Sequence, residues 1–384
     1  MQANVLVSTD NQDTVMVPIT NPAPISFYQN NLLKRRLDSI QKEVPLDYNE
    51  YVQSYIDLYL TPARREDISR VLGLTKYYFP IYEKAFREAG IPDEIEYLSI
   101  VESQLNPNAI SHVGATGPWQ FMATTAKTYG LGMDGYIDQR RDPIESSYAA
   151  AAYLKDAYQE FGDWLLAIAS YNCGKSNVIR AIELAGANDF WSIRQYLPVE
   201  TRGYVPAYIA VTYLMNYHSK YHITPRACNF SIKTDTVSVS KTVSLYSVSR
   251  SLNVDLSQLA ILNPAYVQQI INGTESTPRR LVIPEAAKEK YAAMYNGLNS
   301  DLTGAAYTAT RQEVTTPVAE NKVSKGEIVP ASKKEYISYK VQPGDTLPVI
   351  VHKFEGTSVE EIKQVNGLKS EDVQPGMMLM ISKS

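Results

Sequence analysis

Glu102 is the residue around which chemistry could be built. On a helical wheel of "EIEYLSIVE", Ile95, Leu98 and Glu102 fall at i, i+3 and i+7, placing the carboxylate on an apolar stripe in the helix's last turn. Burial there disfavours the charged form, and the negative end of the helix pushes the same way. Such a group holds its proton near neutrality and can donate it, which describes a general acid. The spacing equally fits a surface carboxylate on a frayed last turn, or one paired with an arginine. Directly afterwards, "SHVGATGPWQFM" offers small residues for close approach to a ligand, then an aromatic (Trp119) and an amide (Gln120) suited to sugars.

Other reactive side chains are few. The two cysteines, Cys173 and Cys228, could form one disulfide or remain free thiols, which leaves the redox compartment open. A Cys-His nucleophile centred on Cys173 has no histidine block beside it. Among the four histidines, His112, His218, His222 and His352, the pair His218 and His222 could share a helix face. No third ligand accompanies them, so neither a metal site nor a cofactor is expected. Glu145 reads as first-turn helix chemistry after Pro143, and nothing local singles out Glu200. Tyrosine is abundant, 28 against 8 Phe; tyrosines line sugar clefts but also serve as core and rim residues.

The elements that must position these groups follow from periodicity and punctuation. At 384 residues the chain predicts two or three domains. Its 44% apolar and 20% charged content fits a globular protein, and no apolar run approaches the roughly 18 residues of a membrane span. The net charge of −4 argues against a nucleic-acid partner and against capture of an anionic polymer by bulk charge. Residues 26–225 read as helical nearly throughout, preceded by a flexible segment over 1–25. "EDISRVLGLTKYYFPIYEKAFREAG" ends on Gly90, "IPDEIEYLSIVESQL" stops before Asn106-Pro107, and "DPIESSYAAAAYLKDAYQEFG" opens on Asp142-Pro143. "DWLLAIASYNCG" is a short apolar helix stopped by Gly174, and "VPAYIAVTYLMNYH" closes an all-α domain.

The character changes near Thr224-Pro225. "TDTVSVSKTVSLYSVSRSLNV" is alternating and β-branched, followed by a short helix "DLSQLAILNP" and a strand-like "RRLVIP", within a module over 230–290. Residues 296–334 are polar and read as a linker. Residues 336–384 repeat a strand-helix-helix-strand grammar: "EYISYKV", "LPVIVHKF", "SVEEIKQVNG", "MMLMIS". The expected fold is multidomain α+β, a large helical domain followed by two small βααβ modules.

The segment around Glu102 closely resembles the catalytic signature of lysozyme-like lytic transglycosylases: Glu-Ser, a spacer, then Ser-x-x-Gly-Ala-x-Gly-x-Trp-Gln-x-Met. Three further blocks resemble the same family in order: "DPIESSYAAAAYL", "SYNCG", and "LPVETRGYVPAYIA", the last in the form found in the membrane-bound murein transglycosylase D type. The resemblance implies that Glu102 is a single catalytic acid/base. It also implies that Ser111, Gln120, Met122, Tyr171, Asn172 and Tyr204 line the glycan cleft, while Ser103, Gly114, Gly117 and Trp119 are as consistent with shaping the loop. Two departures stand out: Cys173 replaces a more usual Ala, and "GKSNV" replaces Gly-Pro-Gly-Asn-Val.

The chemistry so implied cleaves the bond between N-acetylmuramic acid and N-acetylglucosamine and closes the muramyl C6 hydroxyl onto C1 without consuming water. A hydrolytic muramidase and a non-catalytic murein-binding scaffold are the alternatives. "YISYKVQPGDTLPVIVHKFEGTSVEEIKQVNGLKSEDVQPGMMLMI" closely resembles a LysM module, which implies glycan contacts at Gly344, Asp345, Thr346, Asn366 and Gly367; Pro348 departs from the usual pattern. Residues 235–284 resemble a degenerate LysM module without the Gly-Asp-Thr turn. The implied partner is peptidoglycan and the implied location the periplasm or cell envelope. "MQANVLVSTDNQDTVMVPIT" has no export signal, so a signal upstream is expected, and membrane attachment could come only through it.

Overall fold

The structure, a computed structural model, describes residues 27–285, 291, 335–342, 346–354, 359–366, 373 and 377–383. The expected flexible segment 1–25 and the linker 296–334 lie outside the described residues. The chain divides into two compact units, Met1–Ala306 and Tyr307–Ser384.

Among the described residues, the helical part of the first unit has ten α-helices: α1 (Phe27–Ile40), α2 (Glu50–Tyr59), α3 (Pro62–Ala89), α4 (Leu98–Ser103), α5 (Ala123–Thr128), α6 (Pro143–Phe161), α7 (Trp164–Cys173), α8 (Lys175–Ala185), α9 (Phe190–Ile193) and α10 (Thr201–Tyr217). Their ends obey the sequence punctuation. Asp142 caps α6 by accepting from the amides of Ile144 and Glu145, with Pro143 at the first position where no amide is needed. Ala149, Ala150 and Ala151 are buried where α6 lies along α3. α10 packs on α2 and α7, and its approach to α2 depends on Gly203: a Cβ there would stand 2.1 Å from the Tyr55 hydroxyl.

One predicted helix is split. "IPDEIEYLSIVES" forms a 3₁₀ turn, Asp93–Tyr97, and then the short α4. Glu94 in that turn accepts from the amides of Glu43 and Val44, at 2.7 and 3.0 Å. The apolar stripe survives the change, because side chains at i and i+3 eclipse in a 3₁₀ turn, and Ile95 and Leu98 are both buried.

After α10 comes a small module: β1 (Thr234–Val239), β2 (Thr242–Ser244), α11 (Leu245–Leu252), α12 (Leu256–Leu262), β3 (Ile270–Asn272) and β4 (Arg279–Pro284). β1 pairs antiparallel with β4, Thr234 opposite Pro284 and Val239 opposite Arg279, while β2 pairs with β3. The alternating reading of "SLYSVSRSLNV" is corrected here, since this stretch is helical. Leu245, Val248 and Leu252 are buried at helical spacing, and the Ser244 hydroxyl caps the start through the Ser247 amide. Alternation of serines mimicked a strand, but the apolar residues keep a period of three to four.

In the second unit β5 (Glu335–Lys340), α13 (Leu347–Lys353), α14 (Val359–Asn366) and β6 (Met378–Lys383) follow one another, with β5 antiparallel to β6. Val341, Leu347, Ile350, Ile362, Leu379 and Ile381 form its core. Among the described residues, no helix is long and apolar enough to cross a membrane.

Candidate active site

Glu102 sits on the last turn of α4, which stops abruptly: Gln104 and Leu105 both take left-handed backbone, φ 54° and 61°. Arg70 on α3 donates to the Gln104 side-chain carbonyl and holds that turn. Behind the helix, the hydroxyls of Ser99 and Ser103 both donate to the Pro118 carbonyl at 2.8 Å, fastening the 106–122 loop against α4. Ser103 is thus a structural partner of the loop.

Trp119 anchors the same loop from within. It is 0% exposed, its ring lies 4.9 Å from that of Tyr82, and its indole N–H donates to Ser147 Oγ at 2.9 Å. A residue type suited to sugars is therefore spent on the core. Its carbonyl faces the other way and accepts from the Tyr171 hydroxyl at 2.8 Å. Gly117 makes the turn feasible: φ is +91°, and a Cβ would lie 1.8 Å from the Arg140 carbonyl.

The Glu102 carboxylate accepts from the Tyr204 hydroxyl, which α10 brings in from 102 residues away. Glu102 keeps part of its surface open, yet burial pushes its carboxyl from 4.5 up to about 7 despite the opposing pull of that hydrogen bond. Tyr204 and Tyr171 are both pushed upward, by burial first and then by the charge of Glu102. Both phenols therefore stay protonated as donors. Glu102, Tyr171 and Tyr204 form one cluster, with the Tyr171 ring edge-on to Tyr153 at 5.1 Å and to Phe121 at 5.9 Å.

The remaining expected residues divide by position. Ser111 closes the loop on itself, its hydroxyl accepting from the Ala115 amide at 2.9 Å. Gln120, at φ 51°, is buried and donates to the carbonyls of Gly117 and Ala109 at 2.8 and 3.2 Å, while its own Oε1 has no hydrogen-bond partner. Met122 is 42% exposed. Asn172 is exposed, its carbonyl accepting from Thr201 Oγ1 at 2.8 Å. Glu200 is exposed, and Glu145 pairs with Arg280 at 3.0 Å. Cys173 and Cys228 are free thiols, each donating to a backbone carbonyl. His218 Nδ1 hydrogen-bonds the Ile223 carbonyl at 2.7 Å.

In the second unit Thr346 is exposed at the start of α13, and Asn366 donates from the end of α14 to the Ile362 carbonyl at 2.8 Å. Gly344, Asp345 and Gly367 lie outside the described residues. Sequence reasoning passed over Ser147, Thr201 and Arg140, which reach Trp119, Asn172 and the Gly114 and Phe121 carbonyls across 19 to 29 residues of chain. Only the serine of "DPIESSYAAAAYL" facing an alanine-rich seam hinted at a polar contact there.

Comparison with known proteins adds a second line. Residues 79–193 match the transglycosylase SLT domain, residues 233–300 the LysM-like domain of lytic transglycosylase MltD, and residues 339–382 the LysM domain. The membrane-bound lytic murein transglycosylase D of Escherichia coli K12 is 29% identical over 300 residues, covering 77% of this chain and 61% of that protein. The peptidoglycan transglycosylase gp16 of Escherichia phage T7 is 34% identical over 122 residues, 31% of this chain and 9% of its own. The 70 kDa soluble lytic transglycosylase of E. coli overlays with a TM-score of 0.34 at 19% identity, over 46% of this chain and 38% of that one. The chain thus combines a transglycosylase SLT domain with an MltD-type LysM-like domain and a LysM domain.

Proposed function

We propose that the protein is a lytic transglycosylase of peptidoglycan in the periplasm or cell envelope, with Glu102 as its single acid and then base. The observation that carries this reading is the desolvated carboxyl of Glu102, hydrogen-bonded by the Tyr204 hydroxyl. Burial and the Tyr204 hydroxyl are the two causes acting on it, with no second carboxylate among them. A two-carboxylate glycosidase needs a partner acid about 5–10 Å away. The sequence offers Glu145 and Glu200, but Glu145 is held by Arg280, Glu200 is exposed, and neither is among the groups that shift Glu102.

With its proton held to about 7, Glu102 protonates the glycosidic oxygen between N-acetylmuramic acid and N-acetylglucosamine. The substrate's acetamido oxygen stabilises the cationic C1 as the bond breaks. Glu102, now a carboxylate held by Tyr204, takes the proton of the muramyl C6 hydroxyl as that oxygen closes onto C1. The proton lost in the first half is regained in the second. The exposed Met122 and Asn172, with Ser111 and Gln120 in the adjoining loop, are assigned to the glycan cleft on the family resemblance. The carboxy-terminal module is assigned glycan binding through the region of Thr346 and Asn366.

The test is mass spectrometry of soluble products from purified murein, using the intact protein and Glu102→Gln. Muropeptides lighter by one water than hydrolysis products, lost with the variant, support the reading. Full-mass reducing ends would replace it with a muramidase, and murein binding without any product would replace it with a scaffold.

A further inference from the structure

The first small module is sewn into the helical domain through the segment 135–142, just before α6. Ile137, from the helical domain, is buried in the module's core beside Tyr266, Leu281 and Ile283. Its neighbours pair backbone to backbone with the module: the Asp138 amide donates to the Ala265 carbonyl at 2.8 Å and the Val267 amide to the Tyr136 carbonyl at 3.0 Å. Gln268 adds a side-chain bond to the Gly135 carbonyl at 2.6 Å. Arg280 on β4 then reaches the start of α6 and engages Asp142 at 2.7 Å and Glu145 at 3.0 Å.

The same segment holds the loop beside Glu102 from its other face. Asp138, fixed by the module, takes the Arg140 guanidinium at 3.0 and 2.8 Å through two nitrogens. A third Arg140 nitrogen donates to the carbonyls of Gly114 and Phe121 at 3.1 and 3.3 Å. The Arg140 carbonyl fills the space that a side chain at Gly117 would need. Most links are backbone pairs or charge-assisted bonds from Arg140 and Arg280, so displacement at one end is felt at the other.

We infer that this module acts as a brace: through Asp138 and Arg140 it sets the shape of the 109–122 loop, and Arg140 is a positioning residue for substrate. A module that merely tethers the enzyme to its polymer would need none of these contacts. The inference rests on the proposed reaction only for its kinetic consequence, because the shape of the loop can be read without substrate.

The test compares the full-length protein with Arg280→Ala, Arg140→Lys and, as a control on an exposed module turn, Glu275→Ala. Backbone hydrogen exchange is followed over 109–122. Arg280→Ala should speed exchange there about tenfold although the loop is not its neighbour. Arg140→Lys, which keeps a charge for Asp138 but loses the forked donor, should speed exchange in the loop and leave the module's β1–β4 ladder protected. The same two variants should raise KM for soluble glycan strands several-fold with little change in kcat. Unchanged loop exchange in Arg140→Lys, or in an Arg280→Ala protein whose module ladder stays protected, would overturn the brace. So would an equal effect from Glu275→Ala. Absence of glycan cleavage by the unaltered protein would count against the reaction, while the exchange data would still decide the brace.

Discussion

Replacing Glu102 by Gln should make the protein more stable at neutral and alkaline pH, and the size follows from the site. The unfolded carboxyl loses its proton near 4.5, whereas the folded one holds it to about 7. Between those values the native state binds more protons than the unfolded chain, so stability falls as pH rises through the window. The full gap corresponds to about 3 kcal/mol, and the exposed part of Glu102 reduces it to about 1–3 kcal/mol. Glutamine has nearly the same shape, carries no charge at any pH and still offers an oxygen to Tyr204. Urea unfolding followed by tryptophan fluorescence suits the measurement, because Trp119, Trp164 and Trp191, the three tryptophans, all lie in the helical domain. Near pH 4 the two proteins should unfold at matching urea concentrations, and near pH 8 the variant should need more by an amount equal to about 1–3 kcal/mol. Equal midpoints at pH 8, or a weaker variant, would mean that Glu102 is ordinarily solvated, and the acid role would go with it.

Tyr204→Phe removes a donor that favours the charged carboxylate, so the alkaline limb of kcat/KM should move up from about 7 by about 1 while the plateau drops; a limb that stays or falls contradicts the assignment. Gly117→Ala puts a Cβ 1.8 Å from the Arg140 carbonyl at φ +91°, and should cost more than about 2 kcal/mol in thermal or urea unfolding with loss of activity. Ser147→Ala leaves the buried Trp119 N–H unpaired and should cost about 1–3 kcal/mol in the same unfolding assay without moving the pH profile.

Glu102 was legible because a helix repeats every three to four residues, so a carboxylate seven positions from Ile95 betrays itself on an apolar stripe. Its environment was not legible in the same way. Spacing says nothing of which hydroxyl meets the carboxylate, and only the family resemblance pointed to Tyr204. Trp119 shows the opposite limit: its type fits a sugar platform, yet the Ser147 acceptor and the Tyr82 and Phe86 rings that bury it come from two other helices. The serines of "SLYSVSRSLNV" alternate and so imitate a strand, while burial follows the sparser Leu245, Val248 and Leu252. Ends of helices were read most reliably, since Asp142, Pro143 and Gly90 act through bonds to residues within one turn. The docking of the first module could not be read at all, because Arg280 and Asp142 are 138 residues apart and neither is unusual locally.

Glu96 serves as an internal control for the proposed double role of Glu102. Both carboxyls are carried by the same short stretch before the loop, and both are desolvated. Glu96 is pushed up to about 9: burial is the largest cause, the carboxylates of Glu83 and Asp93 add to it, and one of its buried oxygens has no partner. A carboxyl held that tightly is a poor acid at neutral pH and would be a strong, unselective base. Glu102 differs in two respects. No carboxylate adds to its burial, and Tyr204 supplies one hydrogen bond to its charged form, so it is brought back to about 7. A group that must give a proton and then take one within a single turnover works best when neither form is strongly favoured at the working pH. In this site a second carboxylate beside Glu102 would push it toward the behaviour of Glu96. The solitude of Glu102 is therefore part of how one residue could serve in both steps.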